Sequence, residues 1–263
     1  MKILPIHTEA LRYFGYTEEE AQFLYLVATH SGYFTCRQFL EFIETKAGKR
    51  SVAFARKVVE KKHASAKEYL RHGRVFHLFS RNVYEAIGRE NVRFRRTHST
   101  EYVRTRLIAM DFILRNQSFT YLESEEQKLA FFCNQIGLDK KILPHKRYSG
   151  AIKNNYTDRY FVDKFPMFYN PAASLPTVPT FSFIDPGFES MDNFKTHLDA
   201  YLTLSRNSPK SISITLPHAT RISNEPKSCL CAYSIGFGTR KRHRDCSHTS
   251  AHAGPGTRRT TAN

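Results

Sequence analysis

Two rhythms of apolar and polar positions divide the chain, and the change between them falls near residue 118. Before it, the spacing of three and four that marks helices dominates. Thr17-Glu18-Glu19-Glu20 reads as a capping box, with the threonine capping the Glu20 N–H and the glutamate reaching back. The helix it opens, AQFLYLVATH, is apolar almost all round and is expected at the centre of a small helical core. Ser31-Gly32 ends it. Thr35-Cys36-Arg37-Gln38 is a second capping box, opening a helix to about residue 47 that buries Phe39, Leu40, Phe42 and Ile43, with Gly48 as its stop. A third helix is predicted over 51–62. Steps of about 100° per residue put Val52, Ala55, Val58 and Val59 on one face, with Phe54 at the margin, and Ala53, Arg56, Lys57, Glu60 and Lys61 opposite. Two strand-like runs follow, 66–71 and 74–79, joined at His72-Gly73 as a two-residue hairpin turn; Ser80 then caps a short helix, RNVYEAIG.

Residues 88–97 form a polar basic connector, and a long helix is expected over 99–116 with Val103, Leu107, Met110 and Leu114 in one stripe. From Ser118 strands and helices alternate. FTYLE, RYFVDKFPMFY, TFSFID and ISITL read as strands; KLAFFCNQIG, opened by the capping box Ser124-Glu125-Glu126-Gln127, and DNFKTHLDAYLTL read as helices. This is the pattern of a small α/β or α+β domain. No GxGxxG or GxxxxGK[ST] is present, so a phosphate-cradling cofactor site is unsupported and no cofactor is expected.

Charge adds the functional clue. The 263 residues hold 40 Lys and Arg against 24 Asp and Glu, for a net +16, which calls for a polyanionic partner. The excess is uneven: 16 basic and 6 acidic residues lie in 34–96, and 8 basic and 2 acidic in 217–263. No apolar run approaches the roughly 18–20 residues of a membrane helix, and the first residues have no secretory pattern. The five cysteines are sparse and odd in number, which argues against a disulfide scaffold and for a cytoplasmic protein.

Three helices followed by a hairpin, with the charge concentrated there, is the layout of a winged helix-turn-helix on double-stranded DNA. Lys49, Arg50 and Ser51 at the start of the third helix, and Arg71, His72 and Arg74 at the wing tip, are the expected phosphate contacts. Arg56, Lys57 and Lys61 are placed to reach base edges, since Arg and Lys match the acceptors of guanine. A solvated basic face on a module that docks other proteins is the competing reading.

Phe181-Ser182-Phe183-Ile184-Asp185-Pro186-Gly187-Phe188-Glu189-Ser190, followed by Phe194, Leu198 and Tyr201, resembles the plasmid replication-relaxation family. The likeness, over roughly residues 10–205, implies a winged helix joined to a restriction-endonuclease-like domain, and a setting in plasmid replication or mobilisation with the proteins of those processes as partners. Asp163 and Asp185, near the ends of apolar strands, are the carboxylates that would hold a divalent metal if the domain cleaves DNA. The chain departs from that pattern: Phe183 stands where the family often has Glu, and Gly187 lies two beyond Asp185. Asp-Pro-Gly is also a strong turn sequence. Cys133, beside Phe131 and Phe132, reads as a structural thiol, and His77 as a packing residue of the wing.

Beyond residue 216 the pattern breaks. Ser, Thr, Arg, His, Gly and Pro prevail, and the one apolar run is 229–233. A disordered basic tail, or a change of reading frame near 205–217, accounts for it. Cys229, Cys231 and Cys246 with His243, His248 and His252 do not have the spacing of a paired zinc knuckle, and no metal is expected there. The expected layout is therefore α+β: a winged helix-turn-helix over 1–97, a linker helix over 98–117 able to pair two copies as a homodimer, a nuclease-like α/β domain over 118–216, and a tail over 217–263.

Overall fold

The computed structural model describes residues 3–46, 48–69, 73–149, 156–162, 165–172, 179–187, 190–207, 211–215 and 229–238. It is a mixed α+β fold with small sheets. Helix α1 (Pro5–Tyr13), which has proline at its start, packs against α2 (Glu18–His30). The Thr17 box is formed: Thr17 Oγ1 accepts from the Glu20 N–H at 3.3 Å, and Glu20 Oε2 from the Thr17 N–H at 2.9 Å. Strand β1 (Tyr33–Thr35) leads into α3 (Cys36–Phe42), whose Thr35–Gln38 box is also closed. Helix α4 (Lys49–Glu60) is followed by β2 (Ala64–Tyr69) and β3 (Gly73–Leu78). These make an antiparallel sheet in the order β1-β3-β2, with Phe34 opposite Phe76 and Ala66 opposite Phe76. The last registered pair is Tyr69–Gly73, so Gly73, expected in the turn, belongs to β3, and His72 lies outside the described residues.

Phe23, wholly buried on α2, is the hub of the first core. Its ring meets Phe34, Phe39, Phe42 and Phe54 at 5.6, 5.2, 5.6 and 5.8 Å. Gly32 turns the chain from α2 into β1 at φ +74°, and a Cβ there would lie 2.7 Å from Phe94 Cβ and 2.8 Å from its carbonyl oxygen. Gly32→Ala is expected to cost about 1–3 kcal/mol, from the left-handed backbone and the overlap together. A urea midpoint equal to that of the parent protein would show that Phe94 yields without cost.

After α5 (Arg81–Ala86), which Ser80 precedes without capping it through its side chain, comes α6 (Thr100–Arg115). It is no linker. Met110 and Leu114 enter the first core, while Ile108, Ala109, Phe112 and Ile113 enter a second with Phe168, Phe183 and Ile184. The single predicted stripe missed this second apolar side, which makes α6 the common wall of both cores. Its one buried carboxylate, Asp111, is met from α3 by Arg37 Nη2 at 2.7 Å to both oxygens and by Gln38 Nε2 at 2.7 Å.

The second part holds β4 (Thr120–Tyr121), α7 (Glu125–Leu129) running into a π-helical turn (Ala130–Gln135), and the paired strands β5 (His145–Ser149) and β6 (Tyr156–Tyr160). Then come β7 (Met167–Tyr169), β8 (Thr180–Asp185), α8 (Met191–Asn207), β9 (Ser211–Thr215) and β10 (Cys229–Gly238). The five-stranded order is β4-β7-β8-β10-β9, and every registered pair in it is antiparallel, so the expected α/β crossovers are absent among the described residues. The predicted long strand around Phe161 is broken: Phe161 turns at φ +49°, separating β6 from β7.

The boundary expected at 216 does not hold either. β10 lies between β8 and β9, pairing Leu230 with Ile184 and Ile235 with Ile214. Its sequence, CLCAYSIGFG, alternates large and small residues at period two beyond the apolar run that alone was noticed. Residues 216–228 and 239–263, which hold Cys246, His243, His248 and His252, lie outside the described residues.

Candidate nucleic-acid interface

The exposed side of α4 is set by what its other side must bury. Phe54 stacks on Phe39 at 4.2 Å, and Val58, Ala55 and Ser51 flank it inward. This rotates the helix from the face predicted. The three valines suggested the inward direction, but the larger ring decides it, because burying an aromatic removes more apolar surface than burying a valine. Ser51 is therefore no phosphate contact: it is buried, and its hydroxyl donates to the Gly48 carbonyl at 2.9 Å. Val52 and Val59, expected in the core, are instead 53% and 37% exposed.

Lys49, Ala53, Arg56 and Glu60 occupy the outward centre of α4, all exposed. Lys49, Arg56 and Lys61 have no ion pair or hydrogen bond to another side chain among the described residues. The cations on the α2 side are engaged. Arg50 pairs with Glu19, and Lys57 Nζ lies 2.6 Å from Glu20 Oε2, the same oxygen that closes the Thr17 box. Lys57 is the more constrained, since its carboxylate partner is largely buried. It ties α4 to α2 and is not placed to reach a base edge. Arg74, at the start of β3, pairs with Glu68 at 3.0 Å across the hairpin, both exposed. Arg71 and His72 lie outside the described residues.

The chain matches no family model, no curated protein and no solved structure.

Between α4 and the β2–β3 hairpin runs a groove of about 640 Å³, lined by Val52, Val59, Ala66 and Phe76, with Arg56, Glu60, Glu68 and Arg74 at its edges. Cys36 also lines it, and burial raises its thiol above the ordinary value, so it is a thiol and not a thiolate. The groove is a feature that sequence reasoning missed. The signal was the ring at position 54, which outweighs the valines. At the foot of α4, Tyr16 Oη meets His63 Nδ1 at 2.8 Å, and burial lowers the His63 pKa. His77 does pack: it stacks on Tyr33 at 4.5 Å and bonds the Phe94 carbonyl at 2.8 Å.

Of the two carboxylates expected to hold a metal, only Asp185 is among the described residues. Asp163 lies outside the described residues. Asp185 ends β8 and accepts the Gly187 N–H at 2.7 Å, the turn that Asp-Pro-Gly suggests. Phe183, two residues before it, is buried among Phe165, Phe194 and His197 at 5.0, 5.2 and 5.3 Å. Among the described residues no three of His, Cys, Asp and Glu gather to hold a metal ion. No helix among them is long and apolar enough to cross a membrane.

Proposed function

We propose that residues 17–79 form a winged helix-turn-helix that binds double-stranded DNA, with α4 in the major groove and the β2–β3 hairpin against the backbone. The order α2-β1-α3-α4-β2-β3, with the hairpin completed by β1 into one sheet, supports it. The observation that carries it is the outward face of α4, where Lys49 and Arg56 stand without carboxylate partners while Phe54 and Val58 hold the opposite face in the core; Lys61, exposed just past the end of the helix, is likewise unpaired among the described residues. Arg56 is the base reader in this arrangement, and Lys49 and Lys61 are phosphate contacts. Arg50 and Arg74 join them by exchanging exposed carboxylates for phosphates, an exchange that costs little because surface ion pairs contribute at most about 1 kcal/mol. The setting inferred from the family resemblance is replication, mobilisation or transcription control of a plasmid or integrated element.

The apolar groove favours a second reading, in which the same surface docks a protein through Val52 and Val59. One experiment separates the two. The full chain and its Lys49→Ala/Arg56→Ala/Lys61→Ala variant are titrated with duplex DNA across a salt series. The parent should lose affinity steeply with salt. The variant should bind at least tenfold more weakly, with a log–log slope lower by roughly 2–3, at about 0.9 per phosphate contact. Equal affinity and slope, with circular dichroism intact, would assign the surface to a protein partner.

A further inference from the structure

The β5–β6 hairpin is the other exposed basic element of the molecule. Five residue pairs join it, from His145–Tyr160 to Ser149–Tyr156, and none of its residues is buried. An isolated two-stranded ribbon is marginal in water. This one is held at its root: the Phe161 N–H donates to the Pro144 carbonyl at 2.8 Å, and the Tyr160 N–H to Glu125 at 2.9 Å. The Phe161 ring, buried beside Phe132 at 4.6 Å, anchors the root in the second core. Beyond that anchor, Glu125 on Arg159 and Lys140 over the Tyr160 ring are contacts to the rest of the fold, and most of the ribbon is exposed.

Its charges do not suit a ribbon left in water. Residues 139–160 carry six Lys and Arg against two Asp. Lys146 sits directly opposite Arg159, a like-charge pair that destabilises a hairpin by itself. Arg159 reaches Glu125 at 2.8 Å, but Lys146 has no anionic partner among the described residues. An external anion between the two cations turns this repulsion into attraction.

We propose that this ribbon is a second contact on double-stranded DNA, separate from α4, which enters the major groove and takes phosphates on Lys146 and Arg159. The distribution of its aromatic residues selects a duplex over a single strand. Tyr148, 36% exposed, is the one ring on the face of Lys146 and Arg159, whereas Tyr156, Tyr160 and His145 lie on the other face, where Asp158 holds Arg147 at 2.8 and 3.0 Å. A platform for stacking successive bases sets its rings in a row on one face. The face that carries Lys146 and Arg159 has no such row, and the B-form major groove, about 12 Å wide, admits a two-stranded ribbon. The proposal does not rest on the reading of α4.

The test uses the full chain, a defined duplex and one of its separated strands. Lys146→Glu sets a carboxylate opposite Arg159, so the hairpin gains a favourable cross-strand pair while the phosphate contact is lost. The expected result is duplex binding weakened about tenfold and a log–log salt slope lower by about 1, with thermal unfolding no lower than that of the parent. Tyr148→Ala should weaken duplex binding without changing the slope. Unaltered duplex affinity in Lys146→Glu overturns the proposal, as does a loss confined to the single strand. Binding of polyglutamate with the affinity of the duplex also overturns it, by showing a generic polyanion site. The two proposals fail separately. Loss in Lys146→Glu with none in the α4 triple variant retains the ribbon and removes the winged-helix reading, and the reverse pattern does the opposite.

Discussion

Glu123→Ala should lower stability by about 3–5 kcal/mol, the cost of stranding a buried partner charge. Glu123 follows β4 and is 8% exposed, yet it faces three groups of the first unit. Its carboxylate accepts from Tyr25 Oη at 2.8 Å and from Arg89 Nη2 at 2.6 Å, and His30 Nε2 faces it at 3.5 Å. Removing it leaves Arg89, itself largely buried, without its anion. Glu123→Gln keeps the size and an acceptor for Tyr25, so it should cost clearly less. Urea unfolding measures both, and an alanine variant within about 1 kcal/mol of the parent would mean that water satisfies Arg89. The pH profile gives an independent check. Burial opposes ionisation of Glu123, but the His30 imidazole, the Tyr25 hydroxyl and the Arg89 guanidinium outweigh it and hold the carboxyl below 4.5. A carboxyl depressed by folding contributes stability that is complete above its unfolded value and is lost as pH falls through the folded one. His7, His63 and His77 are lowered from 6.5, each chiefly by burial, so unfolding takes up protons and stability already declines as pH drops below 6.5. The parent should therefore lose stability in two limbs, and in Glu123→Gln the acid limb should shrink to what Glu101 and Asp158, also lowered, contribute.

That cluster was not legible in the sequence, and the reason is physical. Tyr25, His30, Arg89 and Glu123 are spread over almost a hundred residues, and a residue meeting its partner across a domain boundary leaves no periodic trace. Local signals fared better. The boxes at Thr17, Thr35 and Ser124 all close, because a cap depends on four consecutive residues alone. The hairpin after α4 was likewise visible in its alternation. What failed was the weighing of faces. On α4 three valines counted for more than one phenylalanine, although the ring sets the inward direction, and Ser51 was taken as a DNA contact as a result. On α6 one stripe was taken for the whole pattern, and the helix became a linker instead of a shared wall. The expected DNA face was charged as read, but sequence position does not show that Glu19 and Glu20 of α2 stand beside Arg50 and Lys57. β10 escaped notice because glycines and a serine interrupt its apolar character while leaving its alternation intact.

Phe54→Ala should be as costly as the loss of Glu123, about 3–5 kcal/mol, and it tests how the core controls the surface. The ring is 1% exposed and touches four others: Phe39 at 4.2 Å, Phe34 at 5.6 Å, Phe23 at 5.8 Å and Tyr16 at 6.5 Å. Those rings belong to α3, β1, α2 and the turn before α2, so the cavity would open where four separate segments meet α4. Rigid aromatic walls drawn from separate elements collapse poorly, which places the loss in the upper part of the range for large-to-small changes. Phe54→Leu retains most of the volume and should lose roughly half as much. A urea midpoint for Phe54→Ala close to that of Phe54→Leu would show that the site collapses and that the ring is not the keystone. For the proposed DNA binding a consequence follows from the same geometry. Phe54 points away from the outward face, so any fall in duplex affinity of a still-folded Phe54→Leu protein arises from the aim of Lys49 and Arg56, not from a lost contact. Because a base-edge contact depends on aim more than a phosphate contact does, discrimination between duplex sequences should decline before overall affinity, with the salt slope unchanged.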